Sequence, residues 1–283
     1  MRTSFRVNMG YPAILEFRGP DAVRFLNGQM TQDVKKVTGE TSLSSCITDA
    51  KGKLQFRVYL TEMKEGVIWV TATDASAEDL EARLTKYLIA DDVEVTDVTG
   101  EYQLFHLIGS TVPVEAGHGL VRKTARFGVQ GRDLWVPVDY PVQFPPGLEE
   151  IPAGELEAFR ISRGVPLWGS ELTEGLLAPE ADLETTDISY HKGCYIGQEV
   201  ISRIKSAGKV NRSLVKLEIP EDVPVKADDG LVSEGSDAGV VTRVSPVADG
   251  GVREALAYVK RSADRSDLRV AVDGELYPVR VGG

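Results

Sequence analysis

Residues 54–60 constrain the fold of this chain most tightly. Leu54, Phe56, Val58 and Leu60 alternate with Gln55, Arg57 and Tyr59, the period-two pattern of a strand with one buried face. Across the polar turn TEMKEG, the run Gly66-Val-Ile-Trp-Val70 is expected to pair back as a hairpin. Ser76 then reads as an N-cap with Asp79 three residues on, and Leu80, Leu84, Tyr87 and Leu88 fall on one helical face. Further strands are predicted over 93–98 and 102–108. Upstream, Val23, Phe25 and Leu26 mark a short helix that Gly28 is expected to end. Strands alternating with single helices predict α+β modules of the ferredoxin-like kind.

The texture changes twice further along. A Pro-rich breaker over 140–147 precedes an amphipathic helix near 155–163, which Gly164 and Pro166 stop. From about Asn211 the chain becomes SLVKLEIP, GVVTRVSP, ALAYVK and ELYPVRV, short strand candidates parted by Gly, Pro and Asp. That spacing predicts a small all-β C-terminal barrel, with its boundary near 206–212.

Composition removes several classes of function. A chain of 283 residues, 42% hydrophobic and 27% charged, is globular and holds two or three compact units. Its net charge of −11 argues against broad binding to polyanionic nucleic acid, so no direct nucleic-acid contact is expected. No run of 18 apolar residues is present, and the N-terminal stretch lacks a secretory h-region. Cys46 and Cys194 stand 148 positions apart and give no disulfide framework, which favours a reduced, cytoplasmic setting.

Chemistry concentrates in Lys192-Gly-Cys-Tyr-Ile-Gly-Gln-Glu199. Cys194 sits two residues from Lys192, and Gly193 and Gly197 permit backbone turns closed to other residues. A helix from Gln198 to about Lys205 would aim its N-terminal dipole at the loop, favouring a thiolate or a bound anion. The competing reading of Cys194 is a small buried hydrophobe in a turn. Glu199 and Arg203 are four apart, which suits either a surface ion pair or a ligand role, while Val200, Ile201 and Ile204 supply the buried face. An N-terminal cluster, Asn27, Gln29, Thr31 and Asp33 around Gly28, offers groups that can hydrogen-bond a heterocycle or simply form a polar helix-to-loop junction. His106, His118 and His191 have no metal-ligand spacing with either cysteine, so no metal is predicted. Walker, dinucleotide-binding and nucleophile-elbow motifs are absent.

The eight-residue segment 192–199 resembles the signature of the YgfZ-type folate-binding proteins, relatives of the glycine-cleavage T protein. FLNGQMTQDV (25–34) resembles that family's N-terminal folate-side element and TDAKGKL (48–54) the strand lead-in after it. RISRGVPLWGSEL (160–172) and the run 177–203 resemble its central stretch. The resemblance covers most of residues 5–215. It implies a T-protein-like multi-domain α+β fold around a central folate hole, with a small C-terminal β-barrel. The implied domains are 1–45 with 132–205, then 46–131, then 206–283. It implies tetrahydrofolate, or a one-carbon derivative, as cofactor. The implied role is support of iron–sulfur cluster assembly or repair in client proteins, including a radical enzyme that thiolates tRNA. The chain is expected to act as a monomer. By similarity Cys194 is the key residue with Lys192 tuning it. Asn27, Gln29, Thr31, Asp33, Arg160, Glu180, Tyr195, Gly197, Gln198, Glu199 and Arg203 stand at the folate-side positions. An arginine among them suits the carboxylates of a glutamyl tail.

The T protein itself is the competing family member. Its aminomethyl transfer depends on an acidic strand lead-in, and here Gln55 and Phe56 stand where the acids would lie. A glutamine cannot act as a carboxylate base. Ordinary aminomethyl transfer is therefore not expected, and a folate-dependent one-carbon transferase on another acceptor is the alternative. A plain folate-binding module with a structural Cys194 is the third reading.

Overall fold

A computed structural model describes residues 2–109, 119–208 and 210–282. His118 lies outside the described residues. The elements run β1 (Phe5–Asn8), β2 (Ala13–Arg18), α1 (Ala22–Gln29), β3 (Leu43–Thr48), β4 (Leu54–Lys64), β5 (Val67–Ala72), α2 (Ala77–Thr85) and β6 (Glu94–Asp97). β7 (Tyr102–Ile108), β8 (Leu120–Thr124), β9 (Gly131–Pro137), α3 (Ala153–Ser162), α4 (Glu184–Asp187) and α5 (Gln198–Ala207) follow. Strands β10 (Arg212–Pro220), β11 (Gly230–Ser233), β12 (Ser236–Asp249), β13 (Val252–Lys260), β14 (Leu268–Val272), β15 (Glu275–Pro278) and β16 (Arg280–Val281) complete the chain. Two compact units result, Met1–Ile151 with Glu184–Ser202, and Pro152–Leu183 with Arg203–Gly283.

In the first unit the hairpin read from the sequence is β4 against β5, antiparallel with Thr61 opposite Trp69. It belongs to a five-stranded sheet of order β3-β4-β5-β2-β6. One face of that sheet packs Leu15, Phe17, Val58, Leu60 and Val70 against Phe25 and Leu26 of α1 and Leu80 and Leu84 of α2. The other face sets Ile14 and Trp69 against Leu104 and Trp135 of a four-stranded sheet, β1-β7-β9-β8. Trp69 and Trp135 meet edge to face at 5.4 Å, an arrangement worth roughly 0.5–1.5 kcal/mol beyond area burial. Strand β2 is thus buried on both faces, which explains its short unbroken run Ala-Ile-Leu.

Two local expectations change. Helix α1 runs through Gly28 to Gln29 and stops at Met30, whose backbone turns extended while its N–H closes on Leu26. The chain therefore leaves the helix at Met30, two residues after the glycine. Tyr87 lies beyond α2 and is 38% exposed, with Arg83 and Lys86 stacked on its ring, so it covers the surface rather than joining Leu80 and Leu84. The Ser76 cap forms as expected, accepting from Asp79 N–H at 3.0 Å.

In the second unit a seven-stranded sheet has the order β15-β14-β11-β12-β13-β10-β16. Its two edge strands are separated in sequence by Val279 alone. A flat sheet would hold those edges about 29 Å apart, six spacings of about 4.8 Å, whereas Pro278 and Arg280, two residues apart, can be separated by only about 7 Å. The sheet therefore curls into the barrel form expected from the C-terminal texture, around Leu217, Val241, Ala257, Val259 and Val270. Strands β11 and β14 were not apparent in the sequence; they complete the curl.

Candidate functional site

The segment 187–197 is laced to two parts of the first unit, the α1 exit and the β3–β4 turn. Ser189 N–H donates to Thr31 O, and Ile196 N–H donates to Gly28 O. Thr48 Oγ1 donates to Ile196 O at 2.6 Å. The Lys192 ammonium donates to three main-chain carbonyls, Asn27 at 2.7 Å, Met30 at 2.6 Å and Gln32 at 2.8 Å. Carbonyls beyond a helix end lack intrahelical donors, so a lysine that satisfies three at once fixes the exit of α1. Cys194 lies between these anchors and is exposed. The lysine thus acts chiefly on the backbone of 27–32, through bonds that spacing beside Cys194 did not suggest. Burial pulls its pKa down to about 8, with the Asp33 charge opposing.

The second glycine of the segment is placed by close approach. Gly197 has φ +87, and a Cβ there would meet Asp49 O at 2.5 Å, Thr48 Oγ1 at 2.8 Å and Gly52 Cα at 2.9 Å. Only a residue without a side chain lets this loop cross the β3–β4 turn. Gly193, by contrast, has open space around its Cα. Helix α5 then starts at Gln198, whose N–H bonds Tyr195 O, with Ile201 buried and Glu199 and Arg203 exposed. Tyr195 itself is 7% exposed, and its hydroxyl has no hydrogen-bond partner among the described residues. Its ring lies 5.1 Å from the Lys192 ammonium, and burial raises its phenol pKa.

Most of the N-terminal cluster serves the junction. Asn27 Oδ1 accepts from Val34 N–H, and Asp33 caps the short turn 34–36 by accepting from Lys35 N–H. Thr31 Oγ1 donates to Asp187 O at 2.6 Å and accepts from Cys46 N–H. Gln29 is different: its Oε1 accepts from Arg83, whose guanidinium also reaches Gln55 Oε1 and Thr48 O. Arg83 was not singled out in the sequence. Arg57 and Asp187 were also missed. They form a two-bond pair, Nε to Oδ2 at 2.8 Å and Nη2 to Oδ1 at 3.2 Å, with Asp187 fully buried. Beside them Cys46 is buried, and burial, followed by the Asp187 charge, pushes its thiol pKa well up.

Arg160 and Glu180 belong to the second unit and are engaged there. Arg160 pairs with buried Glu171 at 2.8 Å and with Glu157 at 2.8 Å, and donates to Val165 O. Glu171 in turn accepts from Leu167 N–H, Ser170 and Thr242. This network folds the loop after α3 and uses the fork that a glutamyl tail would need. Glu180 pairs with Arg212 at 3.2 Å. The described structure therefore brings Asn27, Gln29, Thr31, Lys192, Tyr195 and Gly197 into one locality and holds Arg160 and Glu180 in ion pairs of the other unit.

Comparison with known proteins places this geometry. The family profile described as GCVT N-terminal domain matches residues 9–113. The chain is 26% identical over 257 residues to the tRNA-modifying protein YgfZ of Klebsiella pneumoniae, spanning 79% of this chain and 77% of the relative. It is 26% identical over 296 residues to an aminomethyltransferase of Herpetosiphon aurantiacus, spanning 93% of this chain and 80% of that protein. The glycine cleavage system aminomethyltransferase T from Bartonella henselae superposes with a TM-score of 0.84 at 17% identity, over 99% of this chain and 85% of that one, which establishes the fold. Taken with the segment 192–199, these likenesses show a chain similar in sequence to YgfZ-type proteins and to aminomethyltransferases, with the fold of the glycine-cleavage T protein.

Proposed function

We propose that the chain binds tetrahydrofolate or a one-carbon derivative and, through Cys194, supports iron–sulfur cluster assembly or repair in client proteins, tRNA-modifying enzymes among them. The observation that carries this reading is the lacing of 187–197. A thiol is presented to solvent on a loop fastened by Lys192, Ile196 and Ser189 to the segment that resembles the folate-side element. The donor set suits a folate: amide and guanidinium groups at Gln29, Gln55 and Arg83, and the unpartnered buried hydroxyl of Tyr195. Bound there, tetrahydrofolate would supply a carrier for one-carbon units. The chain's own residues orient it and hold the thiol nearby. One cysteine cannot fill the sites of a cluster, so any cluster handled at Cys194 needs further ligands from the client. The tRNA-modifying relative supports the link to tRNA modification, and the acidic charge favours an indirect one through client enzymes.

A one-carbon transferase on an unknown acceptor is the second reading, favoured by the aminomethyltransferase relative. Against its ordinary chemistry stands Gln55, an amide bonded to Arg83, with Phe56 packed at the core. Neither can accept a proton as a carboxylate would. The test is cluster occupancy of client enzymes in cells lacking this chain, complemented with wild type or Cys194→Ser. Restoration by wild type alone supports the proposal. Full restoration by Cys194→Ser removes the thiol from it, and turnover of methylene-tetrahydrofolate by purified protein favours the second reading.

A further inference from the structure

Eight large apolar side chains stand exposed among the described residues. Three of them, Tyr11 at 57%, Val138 at 47% and Tyr140 at 46%, gather at one end of the four-stranded sheet. The backbone brings them there. Gly10 O accepts from Leu104 N–H, and Ile14 N–H donates to Thr99 Oγ1 at 2.9 Å, so Tyr11 passes along the start of β7. On the other side of β7, Tyr102 stands opposite Pro137, and Val138 N–H donates to Glu101 O. A turn closed by Tyr140 N–H on Pro137 O holds Tyr140 close to Val138. Neighbouring strands lie about 4.8 Å apart, so Tyr11 and Val138, flanking β7, are separated by about 10 Å. Tyr102, half-buried between them, meets Trp69 edge to face at 4.7 Å. Single exposed apolar residues are ordinary on a protein surface, whereas a contiguous group marks a contact face.

The charge of this face has one sign. Segments 8–12, 97–103 and 136–140 hold three carboxylates, Asp97, Glu101 and Asp139, and no lysine, arginine or histidine. All three acids are exposed. Asp97 accepts from Thr99 N–H at 2.8 Å, while Glu101 and Asp139 make no ion pair among the described residues. Glu101 lies near enough to Tyr102 that its charge, after burial, raises the phenol pKa. Such a face selects its occupant. A second copy of the chain would set like charges together, and phosphate-bearing surfaces, lipid or nucleic acid, would be repelled. An arginine meets both features at once: its fork pairs with a carboxylate and its plane lies on a tyrosine ring.

We propose that this end of the sheet, with Tyr11, Val138 and Tyr140 bordered by Glu101 and Asp139, docks a positively charged, arginine-bearing segment of a partner protein. The inference stands apart from the folate reading, because no residue of the Cys194 segment or of the α1 exit takes part in it.

The experiment follows binding of a fluorescein-labelled decapeptide of alternating glycine and arginine by fluorescence anisotropy at low ionic strength, where surface charge is least screened. Wild type should bind it, and E101K/D139K should lose about 10-fold or more, because each attraction becomes a repulsion. Y11A keeps every charge and should lose about 2- to 5-fold, the worth of one exposed cation–π contact. E65K/D92K reverses two exposed acids at the far end of the five-stranded sheet and shifts the net charge equally, so it should stay within about twofold of wild type. Far-UV circular dichroism establishes that each variant compared is folded. Equal losses in the two charge-reversal variants would reduce the binding to bulk acidity and overturn the docking face. Unchanged binding by Y11A, or no binding by wild type, overturns it too. Sedimentation velocity should give wild type and Y11A the same coefficient; a dimer that Y11A dissolves would assign the face to a second copy instead.

Discussion

Replacing Gly197 by alanine tests why the Cys194 loop can lie where it does. The backbone at Gly197 has φ +87, where an L side chain costs about 1–2 kcal/mol. The added methyl would also stand 2.5 Å from Asp49 O and 2.9 Å from Gly52 Cα, both backbone atoms, so the turn itself must move. Overpacking of this kind costs about 1–3 kcal/mol, and the sum is about 2–5 kcal/mol. For domains of this size each kcal/mol lowers the unfolding midpoint by about 2–4 °C, so Gly197→Ala should lose about 4–20 °C. Gly193→Ala is the internal control. Nothing lies within 4 Å of its Cβ position, so its effect should stay within about 0.5 kcal/mol, as at an ordinary surface position. Thermal unfolding followed by far-UV circular dichroism measures both. Equal midpoints for the two variants would refute the argument that close approach, rather than loop flexibility, fixes the second glycine.

Three further outcomes follow from burial and pairing. In folded protein iodoacetamide should label exposed Cys194 and leave buried Cys46 untouched until the chain unfolds, as peptide mapping will report; labelling of both at equal rates contradicts the packing of β3. Glu171→Ala removes the buried acceptor shared by Arg160, Leu167 N–H, Ser170 and Thr242, while Glu157 keeps Arg160 paired, so the loss should be about 1–3 kcal/mol, that of leaving buried donors unsatisfied; denaturant titration should show it, and no measurable loss would contradict the buried network. His106 donates its Nδ1–H to the Asp133 carboxylate at 2.8 Å, is fully buried, and has its pKa lowered by burial. A base held below its unfolded value of 6.5 stays neutral in the fold while the unfolded chain takes up a proton, so this residue's contribution to stability is present above pH 6.5 and declines as pH falls below it. An NMR titration of the imidazole nitrogens should place the His106 midpoint below 6.5; a midpoint at or above 6.5 would contradict the burial argument.

Local physics made part of this chain readable. The strand over 54–60, the Ser76 cap and the helix start at Gln198 depend on residues within a few positions and appear in the structure, although β4 is buried on both faces from Val58 to Thr61 rather than on one. Strands β11 and β14 escaped because four or five residues between polar turns carry too little pattern, and although each forms a hairpin with its neighbour, the β11–β14 pairing joins segments far apart in the chain. The candidate site shows the same division. Cys194 and the glycines stand out in sequence, but the bonds that position them join Lys192 to carbonyls up to 165 residues away. Which glycine is indispensable depends on what crosses Gly197, and spacing does not encode that.

The account's central claim is tested most directly by anaerobic calorimetric titration of tetrahydrofolate into the wild-type protein. Saturable binding near one equivalent, retained in folded Cys194→Ser, is the predicted result, because the thiol stands exposed on the loop and serves chemistry rather than pocket shape. Absence of binding by a demonstrably folded wild-type chain would contradict the account, leaving the T-protein-like fold without its folate role.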